Sequence, residues 1–372
     1  MEVSNICCIF AAKRCNMKNP FKFGTLVDDE FFTDRVSELE SIQRMLDSEN
    51  HLVLISPRRF GKSSLVAKAV KASGRPSISL NLQNMLSIED FASKILRGLF
   101  RLYPLERIKH LMTHFRIVPT ISSNPITNGI DVSFQPVMNG IVLLEDAMAL
   151  LEKVSTEDKK LIIVFDEFQE IMNIRKGLDK QLRSIMQEQK HLNYILLGSQ
   201  ESMMSEIFER KKSPFYHFGK LMHLNKIPYE DFRTYVAERL PLKEGKSQGN
   251  IVDEILSFTG LHPYYTQQLS AQVWEIMTYD QHFDNVVDEA ISAIVQTHDL
   301  DFERLWLSFN RTDRFIMQSL SNNNNPLQNR QMATSTTFSA IKRLMKAGYV
   351  IRVENYEIED PFFKTWIIKT CQ

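Results

Sequence analysis

Along the first half of the chain, short apolar runs alternate with amphipathic stretches. His51–Ile55 (HLVLI), Ser77–Leu82, Leu161–Phe165 (LIIVF) and Tyr194–Leu197 read as strands. The stretch Lys62–Ser73 reads as a helix, and Ser87-Ile88-Glu89-Asp90 opens another as a capping box. That helix continues through Phe91, Ile95, Leu96 and Leu99, apolar positions three and four apart. Phe115–Val118 and Ile130–Phe134, separated by a Ser/Asn/Pro-rich loop, read as an inserted β-hairpin within residues 115–137. Fully apolar strands spaced by helices predict a parallel sheet covered on both faces, because each strand must bury both of its sides.

After about Asn225 the strands stop. Tyr229–Leu240, Ile251–Phe258, Tyr264–Met277 and Val286–Thr297 read as successive helices. From about Phe309 the pattern is a helix at Arg311–Leu320, a polar loop at Ser321–Asn325 and a second helix at Thr336–Ala347. Gly348 and short strands near Tyr349–Val353 and Tyr356–Ile358 follow. Helices leading into a two-stranded ribbon predict a winged helix-turn-helix. No internal repeat is visible.

Composition narrows the class. The chain has 372 residues, 43% hydrophobic and 24% charged, with 13 Gly and 13 Pro, as in an ordinary globular protein of two or three domains. Its 45 basic and 45 acidic residues balance, which excludes the global positive field of a polycationic nucleic-acid coat. The longest apolar run near the start, Ile6–Ala12, falls far short of a membrane span and has Glu2 before it, unlike a signal peptide. Residues 1–17 read as a disordered leader, and Met17 is a candidate start. Cys7, Cys8, Cys15 and Cys371 lie at the two extremities, which is neither a disulfide framework nor a zinc pattern. A reduced, cytoplasmic setting with no membrane association is expected.

The chemistry centres on Ser56-Pro57-Arg58-Arg59-Phe60-Gly61-Lys62-Ser63-Ser64, which follows a strand and opens a helix, the context a phosphate-binding P-loop needs. Backbone N–H groups of such a loop and of the helix start converge on phosphate. Lys62 then bridges the β- and γ-phosphates, Ser63 ligates Mg²⁺ and Gly61 permits close approach. Ser56 stands where the usual pattern has its first glycine. Asp166 and Glu167, at the end of an apolar strand, reach the same crevice. There Asp166 holds the Mg²⁺ through water and Glu167 orients or deprotonates the attacking water. Two solvated acids capping the next helix are the alternative. Ser199, after the strand Asn193–Gly198, either contacts the γ-phosphate or the water, or caps its helix. Arg58 and Arg59 either neutralise phosphate or face a partner, and Phe31 and Phe32 pack on adenine or in the core.

These motifs in this order resemble the archaeal-type ATPase family, within the STAND branch of AAA+-related P-loop ATPases. Ser56–Ser64 resembles its Walker A motif, Phe165-Asp166-Glu167-Phe168 its Walker B motif and Gly198-Ser199 its sensor. Asn19-Pro20-Phe21 with Phe32-Thr33-Asp34-Arg35-Val36-Ser37-Glu38-Leu39 resembles its amino-terminal signature, which implies Arg35 near the adenine. Gly260-Leu261-His262-Pro263-Tyr264 is similar to its lid element, which implies Pro263 on the base, and Asp360–Ile367 resembles its closing motif. The resemblance spans roughly residues 18–370. It implies a P-loop NTPase core at 18–225, an α-helical lid at 226–305 and a winged helix at 306–372, with ATP·Mg²⁺ between core and lid. ATP rather than GTP follows from the resemblance, no Asn-Lys-x-Asp motif being present. Family members often carry an arginine in a segment that here reads Ser213-Pro214-Phe215-Tyr216-His217-Phe218-Gly219-Lys220, with Phe218 at the arginine position.

The expected function is therefore a slow Mg-dependent ATPase acting as a nucleotide-controlled switch on a protein partner or on a second copy. The alternatives are an ATP-dependent DNA-binding protein using residues 306–372 and a nucleotide-binding scaffold without turnover. Residues 311–372 hold nine basic and five acidic side chains, a modest excess for a DNA-reading surface.

Overall fold

The computed structural model describes residues 18–371 other than 27–30, 34, 49, 113–119, 125–128, 134–139, 242–246, 281–284, 329–331 and 353–354. They form two compact units. One comprises Arg35–Pro57 and Lys62–Leu224, and the other the described residues of Met1–Asp34, Arg58–Gly61 and Asn225–Gln372.

The first unit is built on a five-stranded sheet of β1 (Leu52–Ile55), β2 (Ser77–Asn81), β5 (Leu161–Asp166), β6 (Leu192–Gly198) and β7 (Lys220–His223). Their order is β2-β5-β6-β1-β7 and every pair is parallel. β1, β6 and the apolar part of β5 are buried throughout, which is what their uninterrupted Leu/Ile/Val runs require. Helices Lys62–Ser73, Ile88–Leu102, Gly140–Val154, Leu178–Glu188 and Glu201–Phe208 belong to this unit. Its core gathers Phe91, Phe165, Phe168, Tyr194 and Phe215 around the sheet. A separate hairpin pairs β3 (Thr120–Asn124) with β4 (Gly129–Ser133) antiparallel. The second strand falls within one residue of the expected Ile130–Phe134, and the expected first strand, Phe115–Val118, lies outside the described residues.

Strand order decides where chemistry gathers. Ile55 at the end of β1 is level with Gly198 at the end of β6, and Phe165 of β5 is level with Leu196. Three neighbouring strands thus end together, handing over to Ser56, to Ser199 and to Asp166-Glu167. A Cβ at Gly198 would lie 2.3 Å from the Met204 side chain, which would have to move to accommodate it. A glycine lets the helix Glu201–Phe208 fold back immediately behind the strand.

The second unit is helical apart from one ribbon. Tyr229–Arg239, Ser247–Thr259, Pro263–Glu275 and Val286–Thr297 follow the expected order. Arg311–Ser321, Thr334–Ala347 and the antiparallel pair β8 (Val350–Arg352) and β9 (Tyr356–Ile358) reproduce the helix–helix–ribbon pattern. Gly348 ends its helix in the left-handed region at φ 83°. Asp360 opens the last helix, Pro361–Thr370, by accepting hydrogen bonds from the amides of Phe362 (2.8 Å) and Phe363 (3.1 Å). One continuous core runs from Phe232 and Tyr265 through Ile316 to Phe362 and Trp366. Asn19 and Phe21 belong to this unit: Asn19 donates to the Ala271 carbonyl (3.1 Å), and Phe21 is buried against Tyr235. Among the described residues, no helix is long and apolar enough to cross a membrane.

Candidate nucleotide site

The loop between β1 and the helix Lys62–Ser73 takes left-handed backbone at Arg59 (φ 62°) and Gly61 (φ 86°). Ser56 is not among the positive-φ residues, so a side chain is tolerated where the usual pattern has glycine. That side chain is buried at the base of the loop. Lys62, 6% exposed, directs its ammonium back over the loop, 2.9 Å from the Pro57 carbonyl, 3.1 Å from the Ser56 carbonyl and 3.3 Å from Ser56 Oγ. Pro57, Phe60 and Ser64 are buried, while Arg58, Arg59 and Gly61 are exposed.

The acids meet the loop from β5. Ser63 Oγ donates to Asp166 Oδ2 at 2.7 Å, joining residues 103 apart in sequence. The other Asp166 oxygen accepts the Glu167 amide at 2.9 Å. Glu167 itself sits in the left-handed region (φ 53°) and makes no side-chain cap to the turn Phe168–Glu170 that follows. Its Oε2 instead accepts from Ser199 Oγ at 2.6 Å and from Gln169 Nε2 at 2.5 Å. Gln200, not Ser199, precedes the helix Glu201–Phe208, so the Ser199 hydroxyl is committed to Glu167 rather than to capping.

Two participants escaped the sequence. Gln169 is fully buried yet polar, a combination that one sequence cannot flag without knowing the turn after Glu167. Glu201 stands at the start of its helix, where burial pushes its carboxyl up while His223 and the Lys62 ammonium pull it down. That Lys62 acts on Glu201 follows from β6 lying beside β1 in the sheet.

Arg35 is 5% exposed, holds a left-handed backbone at φ 75° and pairs with Glu38 at 2.9 Å. Phe218 is buried, stacked on His51 with ring centroids 4.6 Å apart and packed edge-on against Phe215. The Arg183 guanidinium lies 5.2 Å above the Phe218 ring. The phosphate-loop tip and the lid motif fall in the second unit. Arg59 donates to the Tyr265 hydroxyl (3.0 Å) and lies 4.6 Å over the Tyr264 ring. Tyr265 in turn donates to Glu359 Oε2 at 2.6 Å. Phe60 meets His262 edge-on at 4.8 Å, and Pro263 is the first residue of its helix. Phe31 lies under the Lys22 ammonium, 5.0 Å from its ring centre, and Phe31 and Phe32 are both half-buried.

Among the described residues, no cluster of three or more His, Cys, Asp or Glu is arranged to hold a metal by itself. The pair Ser63 and Asp166 is an all-oxygen donor set, which suits Mg²⁺, an ion that takes few protein ligands and completes its shell with phosphate and water.

Residues 32–269 match the family described as an ATPase domain predominantly from Archaea. The match covers more than half of the chain, and the protein belongs to that family of nucleotide-binding ATPases. No curated protein sequence matches it. Among solved structures, the Walker-type ATPase PABY2304 of Pyrococcus abyssi is similar with a TM-score of 0.64 and 15% identity, over 91% of this chain and 97% of that one. The ORC2 protein of Aeropyrum pernix, solved as ADPNP–ADP complexes, gives 0.56 and 15% over 94% and 98%. At such identity these likenesses establish a shared fold.

Proposed function

We propose that this protein hydrolyses Mg·ATP slowly and uses the state of the γ-phosphate as a conformational switch on a protein partner or on a second copy. The observation that carries the reading is the hydrogen bond between Ser63 and Asp166, with Glu167 beside them at the ends of adjacent strands. In this reading the amides of Ser56–Ser64 cradle the phosphates, and Lys62 exchanges the Ser56 and Pro57 carbonyls for the β- and γ-phosphate oxygens. Ser63 and, through water, Asp166 would hold the Mg²⁺, whose charge would offset that of the transferring phosphoryl group. Glu167 orients the attacking water and takes its proton as the water oxygen bonds to the γ-phosphorus and the bond to ADP breaks. Adenosine specificity, with contacts from Arg35 and Pro263, rests on the family resemblance.

Slowness is supported by Phe218, which is buried in an aromatic cluster at the position where the family resemblance implies an arginine. An arginine finger contributes about 10³–10⁵ in rate where it acts, so fast turnover here needs one from a partner. In this reading a change at the phosphates reaches the loop tip, where Arg59 bonds to Tyr265 and lies over Tyr264, and Phe60 meets His262. We read residues 226–305 as the lid and 306–372 as the winged helix that receive it, in a protein acting in the cytoplasm.

Phosphate release from Mg·ATP tests the reading. Lys62→Ala is expected to lose both binding and turnover, and Glu167→Gln to keep binding and lose turnover. Release that is unaffected by either change sinks the hypothesis, and absence of release in all forms, with binding lost only in Lys62→Ala, leaves a switch that awaits a partner's arginine or a scaffold without turnover. DNA binding is the weaker alternative. Arg343, on the helix that would read bases, is tied to Asp313 at 2.5 Å. Salt-sensitive retention of duplex DNA by the full chain would restore it.

A further inference from the structure

We infer that Gln169 is a positioning residue that, together with Ser199, clamps the Glu167 carboxylate by a single oxygen. Gln169 Nε2 and Ser199 Oγ both donate to Glu167 Oε2, at 2.5 and 2.6 Å. Two donors converging on one carboxylate oxygen from different elements fix the torsion and the plane of the group. Gln169 approaches from the turn after β5 and Ser199 from the end of β6. Neither uses Oε1, the oxygen left to meet water. The clamp also gives a physical reason for the left-handed backbone at Glu167, which a bulky acyclic residue adopts only under constraint from its surroundings.

The cost of Gln169 points the same way. Its side chain is fully buried, and its amide oxygen has no hydrogen-bond partner among the described residues. A buried polar atom left unsatisfied is destabilising, and a methionine or leucine would fill the same space without that penalty. What a hydrocarbon cannot supply is the N–H that faces Glu167. The residue therefore trades stability for the aim of a neighbouring carboxylate.

This inference rests on the reading of Glu167 as the group that positions water, and a double-mutant cycle separates the two. The variants are Gln169→Met, which keeps volume and shape, Glu167→Gln and the pair, measured as phosphate release over a range of Mg·ATP concentrations. In the parent, Gln169→Met is expected to lower kcat about ten- to a hundredfold, the scale of a misaligned reacting group, with KM changed less than about twofold. In the Glu167→Gln background it is expected to change the residual rate less than about twofold, because the group it aims is already gone. Ser199→Ala should follow the same pattern, and Ser199→Thr, which keeps the hydroxyl, should restore the rate. Equal losses in both backgrounds, a rise in KM that matches the fall in kcat, or faster turnover in Gln169→Met would each overturn the inference. If Gln169→Met is not recovered folded, Gln169→Leu and Ser199→Ala carry the same comparison. Retained turnover in Glu167→Gln alone would instead refute the assignment of Glu167.

Discussion

Ser63 and Asp166 show what a residue pair contributes once a sheet has brought it together. Their 2.7 Å hydrogen bond satisfies both groups and sets two oxygens side by side facing the loop. Ser63→Ala keeps the helix and the loop backbone, so its effect should fall on metal use alone. The expected outcome is at least about a hundredfold loss of turnover, with the metal requirement moved to higher Mg²⁺, read from a titration of rate against metal. Unchanged Mg²⁺ dependence would remove Ser63 from the metal site. At this scale the sequence was informative about placement: that Lys62, Ser63, Asp166 and Glu167 gather at the ends of neighbouring strands was legible from their strand and helix contexts. The placement of Gln169 and Glu201 was not. It depends on a left-handed turn at Glu167 and on β6 lying between β1 and β5, neither of which is written in local spacing.

Elements were legible where burial dictates composition. β1, β5 and β6 have continuous apolar runs because both faces are covered, and the helix Ile88–Leu102 buries the expected Phe91, Ile95, Leu96 and Leu99. β7 was missed because Lys220–His223 is short and mostly exposed, so it follows no apolar rule and joins the sheet through backbone pairing with β1. The helices Gly140–Val154 and Pro361–Thr370 carry no comparably plain signal, and Pro361 serves as the first residue of the latter. The capping expectation at Ser87 has a direct counterpart, its Oγ accepting from the Asp90 amide at 3.2 Å. Ser87→Ala should cost about 1 kcal/mol, seen as a lower urea midpoint at an unchanged slope. A shift within error would mean that solvent satisfies that amide equally well.

For the molecule as a whole, the telling group is Asp360 in the second unit. Burial pushes its carboxyl up to about 6 from an ordinary 3.8, against the pull of the Phe363 and Phe362 amides. The folded state therefore takes up a proton at a pH where the unfolded chain does not. Its contribution to stability is complete below the unfolded value and is lost as pH rises through about 6. Asp360→Asn stays neutral and still offers an oxygen to both amides. It should be more stable than the parent at about pH 7.5, with the advantage fading by about pH 5, measured by chemical denaturation at each pH. His262, held below its ordinary value by burial, titrates in the opposite sense but is common to both proteins and cancels in the difference. A gap that stays constant with pH would contradict the assignment.

The two margins of the sheet carry a last consequence. β2 and β7 each have one strand neighbour among the described residues, and they are five and four residues long. β2 alternates Ser77, Ser79 and Asn81 with its hydrophobic positions, and β7 begins on Lys220. Short polar margins with a lysine offer little to an incoming backbone, which is how natural sheets discourage lateral growth into ribbons and fibrils. A second copy or a partner recruited to this unit thus meets little invitation to extend its hydrogen-bonded ladder, and recognition falls to the side chains displayed by its helices and loops.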